Sequence, residues 1–378
     1  MTIRCDVAIA GLGAMGSAAA WQLTLRGQRV IGFDRFRPPH AMGSSTGKSR
    51  IIREAYFENP GYVPLVRRAY ELWADLEQDS GRELLRPTGG LVIGPEDGSL
   101  VPGALASARL HGVRHELLDA GAIRARYPAF RPDATLAGLL ELRAGVLMPE
   151  DCIGAMLGQA GQAGAELRFE EPVLGWEPDG DGVRVTTGVR TVLASRLILS
   201  AGAWMEASLT RRTLPLTVAR QVMFWVRPGG DPGLFDPGRF PIWLWETNEG
   251  PTWYGFPDLG DGPKVARHHG GQVTTADHVE RGIDPEESGP VRAFLAKAIP
   301  LLDGPVTDAR VCMYTNTPDE DFVLDRHPDH PAVLIASPCS GHGFKFAPTV
   351  GEILADLAMD RTPRFDLTPF SSSRFTPA

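Results

Sequence analysis

Three glycines near the amino terminus have the spacing of a dinucleotide-binding turn. Gly11, Gly13 and Gly16 directly follow an apolar run, and Asp34 lies 18 residues beyond Gly16. Gly11 permits a tight turn, Gly13 lets the backbone approach a pyrophosphate, and the free N–H groups of the following helix face that anion. A carboxylate at position 34 accepts hydrogen bonds from ribose hydroxyls and repels a 2′-phosphate. These residues predict a dinucleotide site and disfavour NADP, but they do not separate FAD from NAD.

The secondary structure predicted around this turn has the order that a dinucleotide-binding unit requires. Residues 5–10 are an apolar run typical of a buried strand, and residues 17–26 are small and helix-forming. Residues 28–33 (QRVIGF) are predicted to form a second strand that ends at Asp34. The sequence therefore predicts a strand, a glycine-rich turn, a helix and a second strand ending in an acid.

A later apolar run, residues 196–204 (RLILSAGAW), contains Gly202 near its end. A simple NAD site has no use for a second strand of this kind. In flavoproteins with two dinucleotide folds, such a strand returns to the FAD sheet and its glycine passes close to the cofactor. The run therefore favours FAD, with an ordinary core strand as the alternative.

Residues 340–346 (SGHGFKF) precede an apolar helical stretch that reaches Met359. Gly341 and Gly343 allow close backbone approach where this helix starts, and its positive end could stabilise negative charge on a reduced flavin. Lys345 falls in the predicted first turn, where a cation is unfavourable unless an anion lies opposite. This placement indicates an anion site, with a solvated surface lysine as the alternative.

Composition restricts the classes of protein that this chain can be. Of its 378 residues, 43 are glycine and 32 are proline, so a helical bundle or a coiled coil is disfavoured. The net charge of −8 argues against a nucleic-acid binder. No stretch approaches the roughly 20 apolar residues of a membrane span. Four scattered cysteines form neither a disulfide framework nor a zinc motif, so we predict a soluble cytoplasmic protein without a metal site.

Five segments together resemble one known family over nearly the whole chain. They are GLGAMGS with Asp34, RIIREAY, YGFP followed by a lysine, CMYTNTPDEDF, and SGHGFKFAPTVGEILADL. The chain resembles the monomeric sarcosine oxidase / N-methyl-amino-acid oxidase family of FAD-dependent amine oxidases. The resemblance implies a mixed α/β fold in which a glutathione-reductase-like FAD-binding domain (residues 1–85, 140–215 and 310–378) is interleaved with a substrate domain built on a mixed sheet (residues 86–139 and 216–309).

The resemblance also implies roles for individual residues near the reacting atoms. Cys312 matches the cysteine that carries the flavin through an 8α-thioether, and Arg50 matches an arginine near the isoalloxazine ring. Arg53 and Lys345 match the pair that holds the substrate carboxylate, and Lys264 matches the lysine that activates oxygen. The remaining matches are active-site or pocket positions: His268, Tyr254, Tyr314 and His342.

The cofactor-binding residues expected from the motifs and the resemblance form a longer set. They are Gly11, Gly13, Ala14, Met15, Gly16, Asp34, Arg35, Gly202, Cys312, Gly341, Gly343, Phe344 and Lys345. The chain departs from the family at two points, because the gap between YGFP and Lys264 is one residue shorter and Cys339 stands just before SGHGFKF. Cys339 is thus a second thiol that could compete for the flavin.

The expected reaction is FAD-dependent oxidation of a secondary amino acid, N-methyl or cyclic, to an imine, with O₂ reduced to hydrogen peroxide. The expected partners are a small amino acid and oxygen, without nucleic acid or membrane, in a monomer or small homo-oligomer. Alternatives are an oxidase for a bulkier amine such as N-methyltryptophan, pipecolate or proline, and a flavoprotein dehydrogenase with another electron acceptor. A soluble NAD-dependent dehydrogenase would explain the first motif but leave the later ones without a role.

Overall fold

The computed structural model describes residues 2–209, 214–248 and 250–375. Within these ranges the strands β1 to β20 are Thr2–Ala10, Val30–Phe33, Arg50–Ile52, Leu85–Pro87, Gly90–Pro95, His115–Asp119, Leu136–Glu141, Gly145–Leu147, Glu166–Arg168, Val173–Asp179, Gly182–Thr187, Thr191–Leu199, Thr217–Val226, Ile242–Glu246, Thr252–Phe256, Lys264–His268, Gln272–Thr274, Val306–Asn316, Val323–His327 and His330–Ser337. The helices α1 to α8 are Ala14–Leu25, Val63–Ser80, Leu100–His111, Ala120–Arg126, Pro149–Gln162, Met205–Ser208, Gly289–Ala298 and Ala347–Ala358.

The first large sheet contains the glycine-rich turn. Its strands run in the order β10-β11-β12-β1-β2-β9, with β20 on β12 and β19 on β20. Strands β1, β2, β9, β12 and β20 pair in parallel, and helix α1 packs against α5 and α8. The end of β1 is buried on both faces, as its continuous apolar run requires in a parallel sheet. The predicted strand–turn–helix–strand order is confirmed, and so is the later strand preceding Gly202.

The second large sheet has nine strands and positions most of the other predicted site residues. Its order is β17-β13-β16-β15-β14-β5-β7-β6, with β18 on β13. Side chains alternate between the two faces of a strand. One face of β14 and β15 therefore directs Trp243, Trp245 and Trp253 into a core against Phe294.

The opposite face of the nine-strand sheet carries three of the predicted site residues, Tyr254, Lys264 and His268. Leu244 pairs with Tyr254, and Tyr254 pairs with Ala266 on β16. Lys264 and His268 lie two residues to either side of Ala266, so both share the face of Tyr254. A third, small sheet, β3-β8-β4, holds Arg50 at the start of β3.

The two large sheets are built from interleaved parts of the chain. The eight-strand sheet lies within the ranges expected for an FAD-binding domain, whereas β7 and β18 of the nine-strand sheet cross the expected boundaries at 139/140 and 309/310. The domain division remains a prediction. The last helix differs from expectation, because α8 begins at Ala347 and Lys345 lies in the short 3₁₀ helix Phe344–Phe346 before it.

The described residues include neither a membrane-spanning helix nor a cluster of metal ligands. None of the helices there is long and apolar enough to cross a membrane. No three histidine, cysteine, aspartate or glutamate side chains in the same residues converge as metal ligands.

Candidate active site

A single cavity of about 690 Å³ extends from the first β–α turn to the segment SGHGFKF. Predicted site residues that line it are Gly11, Gly13, Ala14, Met15, Asp34, Arg35, Arg50, Arg53, Gly202, Tyr254, His268, Cys312, Tyr314, Gly341, His342, Gly343, Phe344 and Lys345. Gly16 and Lys264 lie behind the lining. The structure thus brings both large sheets and the carboxyl-terminal segment to one cavity.

The dinucleotide end of the cavity has the expected backbone. Gly11 has a φ of +97°, and a β-carbon there would lie 2.5 Å from the Ser200 carbonyl oxygen. A β-carbon on Gly13 would meet no protein atom within 4 Å, so the space beside this residue is open. Asp34 accepts hydrogen bonds from the backbone N–H groups of Leu12 (2.7 Å) and Phe36 (2.8 Å), which fixes its carboxylate at the cavity wall.

Hydrogen bonds between distant parts of the chain lie beside the dinucleotide end of the cavity. Arg35 donates to Asp277 (2.6 Å), and Asp277 also accepts from the indole N–H of Trp204 (2.9 Å). Gly202, at a φ of +55°, begins the 3₁₀ helix Gly202–Trp204 that follows β12 and has open space where a side chain would stand. Arg35 therefore forms a surface ion pair beside the cavity.

The polar atoms of the wall fit a flavin dinucleotide. The hydroxyls of Ser44 and Thr315 are buried, line the cavity and have no hydrogen-bond partner within the described part of the chain. Buried polar groups normally find a partner, so these two indicate a bound polar molecule. Together with the open space at Gly13 and Gly202, they accommodate FAD.

Cys312 lies on β18 among cationic side chains. It is 2% exposed and borders the cavity. Burial raises the pKa of its thiol, while the charges of Arg50 and Lys264 act in the opposite direction. Arg50 is held by the carbonyl oxygens of Ser44, Thr46 and Ser49.

Lys264 lies behind the loop that carries Arg50. Its Nζ donates to the carbonyl oxygens of Gly47 (2.8 Å) and Ser49 (2.9 Å), and it is 4.2 Å from the centroid of the Phe256 ring. Burial, and then the charge of Arg50, hold the pKa of Lys264 well below its ordinary value. Lys264 therefore contacts the segment that precedes Arg50 and does not itself line the cavity.

Arg53 is buried and already paired. Its guanidinium donates to both carboxylate oxygens of Glu58 at 2.7 Å and to the carbonyl oxygen of Ala55 at 2.7 Å. Burial opposes ionisation of Glu58, but the Arg53 charge, with those of His342 and Lys345, lowers its pKa to about 2. Glu58 also lines the cavity, so a carboxylate ligand that binds Arg53 must share the guanidinium with Glu58.

Lys345 is the second buried cation. Its Nζ donates to the carbonyl oxygen of His342 (2.8 Å) and to the hydroxyl of Tyr56 (3.2 Å). Burial, and then the charge of Arg53, lower the pKa of Lys345 to about 7. A desolvated ammonium beside a guanidinium favours an anion in the cavity, because a bound anion offsets both effects.

Aromatic side chains and histidines form the wall near these cations. The Nδ1 of His268 lies 3.4 Å from the Tyr314 hydroxyl, and Tyr314 interacts in turn with Tyr254. Burial, and then the neighbouring His269, hold the pKa of His268 well below its ordinary value, so this ring is neutral at pH 7. Burial also raises the pKa of Tyr254 to about 12.

Sequence reasoning missed several residues of the site. Tyr56 and Glu58 directly follow the segment that supplied Arg53, yet neither was expected to act there. Asp277 carries no local signal, because it reaches the site through long-range packing. Glu320 lies in the segment CMYTNTPDEDF, but its backbone carbonyl was not expected to contact His342. The clue that the sequence offered was Glu58, an acid five residues after Arg53.

Comparison with known proteins identifies the family of this chain. Residues 6–357 match the FAD dependent oxidoreductase (DAO) family. The chain is 45% identical to the monomeric sarcosine oxidase of Streptomyces avermitilis, with 100% of both chains covered. It is 37% identical to the N-methyl-L-tryptophan oxidase of Salmonella arizonae, with 99% of this chain and 100% of the relative covered.

Solved structures agree on the fold. NikD, an unusual amino acid oxidase essential for nikkomycin biosynthesis, superposes with a TM-score of 0.86 at 25% identity, covering 98% of this chain and 97% of NikD. The L-proline dehydrogenase of P. horikoshii has the same TM-score at 20% identity, covering 99% and 98% of the two chains, and supports the fold alone. The match over residues 6–357 and the full-length relatives show that this chain belongs to the FAD-dependent oxidoreductase family that includes monomeric sarcosine oxidase and N-methyl-L-tryptophan oxidase.

Proposed function

We propose that this protein oxidises a small secondary amino acid, N-methyl or cyclic, to an imine and reduces O₂ to hydrogen peroxide. The observation that carries the proposal is the pair of buried cations, Arg53 and Lys345, on the wall of a cavity that fits FAD. Paired cations bind a carboxylate strongly where water is excluded. The 45% identity to a sarcosine oxidase supports an N-methyl amino acid as the substrate class.

The side chains of this protein would mainly bind and orient the substrate. Arg53 and Lys345 hold the carboxylate, and the substrate ion restores charge to Lys345, whose pKa burial has lowered to about 7. Tyr254, Tyr314 and the neutral His268 enclose the amine end. FAD, when bound, would supply the two-electron redox chemistry that links oxidation of the substrate amine to reduction of O₂.

The guanidinium of Arg50, supported by Lys264 behind it, would favour the oxygen step. Arg50 lines the cavity, and Lys264 contacts the same loop through Gly47 and Ser49. A fixed positive charge lowers the cost of placing electrons on oxygen. Because no side chain is required as a base when the amine reacts in its neutral form, the neutral His268 is compatible with this scheme.

The activity is tested with a panel of amines, read by peroxide release. Sarcosine, N-methyltryptophan, pipecolate and proline each present a carboxylate beside a secondary amine, and the preferred compound identifies the side chain that the pocket accepts. Arg53→Met and Lys345→Met should each raise the KM for these substrates, because each removes one carboxylate contact. Peroxide release from no amine, with a yellow protein that reduces an artificial acceptor, would favour a dehydrogenase.

We further propose a covalent bond between Cys312 and the flavin. Its Sγ would bond to the 8α carbon with loss of the thiol hydrogen and one methyl hydrogen, and the two electrons released would reduce O₂ to peroxide. Acid-precipitated protein is then expected to stay yellow, and Cys312→Ala to release its colour, as measured by the absorbance of the supernatant. Cys339→Ala is the control, since Cys339 also lines the cavity; loss of bound colour in Cys339→Ala alone would assign the bond to Cys339.

The compartment and assembly belong to the same proposal. The cysteines of the chain, Cys5, Cys152, Cys312 and Cys339, are all unpaired thiols. Free thiols at this number suit a reducing compartment, so we infer a cytoplasmic location. A monomer or small homo-oligomer stays a prediction.

A further inference from the structure

Tyr56 contacts both buried cations of the carboxylate site, although it does not itself line the cavity. The Arg53 guanidinium carbon lies 4.5 Å from the centroid of the Tyr56 ring, and Lys345 Nζ lies 4.9 Å from the same centroid. Lys345 Nζ also donates to the Tyr56 hydroxyl at 3.2 Å. Because the Tyr56 side chain is fully buried, it forms a fixed support shared by the two charges.

The direction of each hydrogen bond around Tyr56 follows from one backbone carbonyl. The Nε2 of His342 lies 3.0 Å from the carbonyl oxygen of Glu320, which can only accept, so Nε2 carries the proton. The pKa of His342 is lowered by burial to about 4, so its ring is neutral at pH 7 and Nδ1 is an acceptor. The Tyr56 hydroxyl, 2.5 Å from Nδ1, must therefore donate to it.

This direction leaves the oxygen of Tyr56 free to accept from Lys345. Hydrogen bonds then run from Lys345 to Tyr56 and from Tyr56 to His342, and His342 donates to Glu320. The charged or titratable groups that face Lys345 are Arg53, Glu58, Tyr56 and His342. Glu58 favours the protonated ammonium through its charge, whereas Tyr56 is a side chain that accepts a hydrogen bond from it directly.

The Tyr56 ring is held in place by its own neighbours. Its centroid lies 5.1 Å from that of Tyr62 and 5.4 Å from that of Phe346. The hydroxyl of Tyr62 donates to Asp321 at 2.7 Å instead of contacting Lys345. Tyr62 is therefore a buried tyrosine of the same cluster, but its hydroxyl does not contact Lys345.

We propose that Tyr56 is a positioning residue that holds Arg53 and Lys345 as a pair, and that its hydroxyl, oriented by the Nε2-protonated tautomer of His342, keeps the Lys345 ammonium ready for a carboxylate. The proposal rests on the proposed function, which assigns Arg53 and Lys345 to the substrate carboxylate. It adds that substrate affinity depends on a residue that the substrate does not touch.

The first experiment compares Tyr56→Phe with the matched control Tyr62→Phe in the flavin-loaded protein. Each substitution removes one buried hydroxyl and keeps the ring. We expect Tyr56→Phe to weaken binding of propionate about tenfold and to raise the substrate KM similarly, because a hydrogen bond to a charged group is lost. The value of kcat should change less than about twofold, and binding of the neutral propionamide should be unchanged. Tyr62→Phe should leave propionate affinity near that of the wild type.

The second experiment measures Lys345 directly and needs no substrate. The chain contains four lysines, at positions 48, 264, 297 and 345. Protein labelled with isotopic lysine should therefore give four side-chain NMR signals, and Lys345→Met assigns one of them. The Lys345 signal should titrate at lower pH in Tyr56→Phe than in the wild type, whereas the Lys264 signal should not move.

The possible results distinguish a failure of the role proposed for Tyr56 from a failure of the proposed function. Equal effects of Tyr56→Phe and Tyr62→Phe on propionate, or an unchanged Lys345 titration, would overturn the role of Tyr56. A wild-type protein that binds no carboxylate and oxidises no amino acid would overturn the proposed function, while the NMR titration would still test Tyr56.

If Tyr56→Phe does not fold, His342→Ala replaces it, because this variant keeps the carbonyl that binds Lys345 but removes the acceptor that orients Tyr56. Unchanged propionate affinity in His342→Ala would also overturn the proposal.

Discussion

At the scale of the residue, the charge of the proposed carboxylate site is governed by desolvation. Arg53 and Lys345 are 3% and 4% exposed, and one carboxylate, Glu58, faces both. A guanidinium keeps its charge under these conditions, but an ammonium loses its proton more easily when water is excluded. The charge of the site near neutral pH therefore depends on Lys345.

This dependence predicts how ligand affinity varies with pH. The ammonium of Lys345 is present below its pKa of about 7 and is lost above it, so carboxylate binding at higher pH must also take up a proton. We expect the Kd of propionate to be constant near pH 6 and to rise above pH 7 by up to about tenfold per pH unit. Titrations followed by the flavin absorbance spectrum measure this profile.

The control for the pH profile is Lys345→Met. It should bind propionate weakly at every pH and show no rise between pH 6 and 9, because the titrating group is gone. An identical profile in the wild type and in Lys345→Met would assign the titration to another group.

At the scale of the element, two glycines near the turn between β1 and α1 have different structural surroundings. A β-carbon on Gly16 would lie 1.8 Å from the carbonyl oxygen of Gly11, whereas one on Gly13 would meet no protein atom within 4 Å. Gly16 is therefore required by the packing of the protein. Gly13 has no such constraint, and the open space beside it is where the pyrophosphate is expected.

Two alanine substitutions separate these requirements. Gly16→Ala should lower the free energy of unfolding by about 1–3 kcal/mol through overpacking, as measured by urea denaturation of flavin-free protein. Gly13→Ala should change that value by less than about 0.5 kcal/mol but reduce the flavin content of the purified protein. Full flavin content in Gly13→Ala would show that the cofactor does not approach this residue.

At the scale of the whole molecule, one buried acid joins the nine-strand sheet to the segment that carries Arg53. Glu141, at the end of β7, accepts hydrogen bonds from the backbone N–H groups of Glu54 (2.9 and 3.0 Å) and Ala55 (2.8 Å). The carbonyl oxygen of Ala55 in turn accepts from Arg53. The position of the guanidinium thus depends on contacts between distant parts of the chain.

Removing this acceptor should affect both stability and ligand binding. Glu141→Leu leaves two buried N–H groups unpaired and is expected to cost about 2–4 kcal/mol of unfolding free energy, measured by urea denaturation. Glu141→Gln retains an acceptor oxygen and should lose less, and both variants should bind propionate more weakly. Wild-type stability in Glu141→Leu would mean that the N–H groups find other partners.

The sequence by itself determined the nucleotide-binding turn, the order of its strands and helix, and the family. These features are local, because the spacing of Gly11, Gly13 and Gly16 is read along the chain. The predicted start of the last helix was less accurate, because Lys345 belongs to a 3₁₀ turn whose length depends on packing.

Only the tertiary structure decided how the predicted cations are neutralised and held. Tyr56 meets Lys345 across 289 residues and His342 across 286, and the proton on His342 is fixed by a carbonyl of a separate loop. Burial and hydrogen-bond partners arise from contacts between distant segments, and no local pattern of residue types specifies them. The sequence therefore identified the charged residues, whereas the fold set their protonation, their partners and their distance from the cavity.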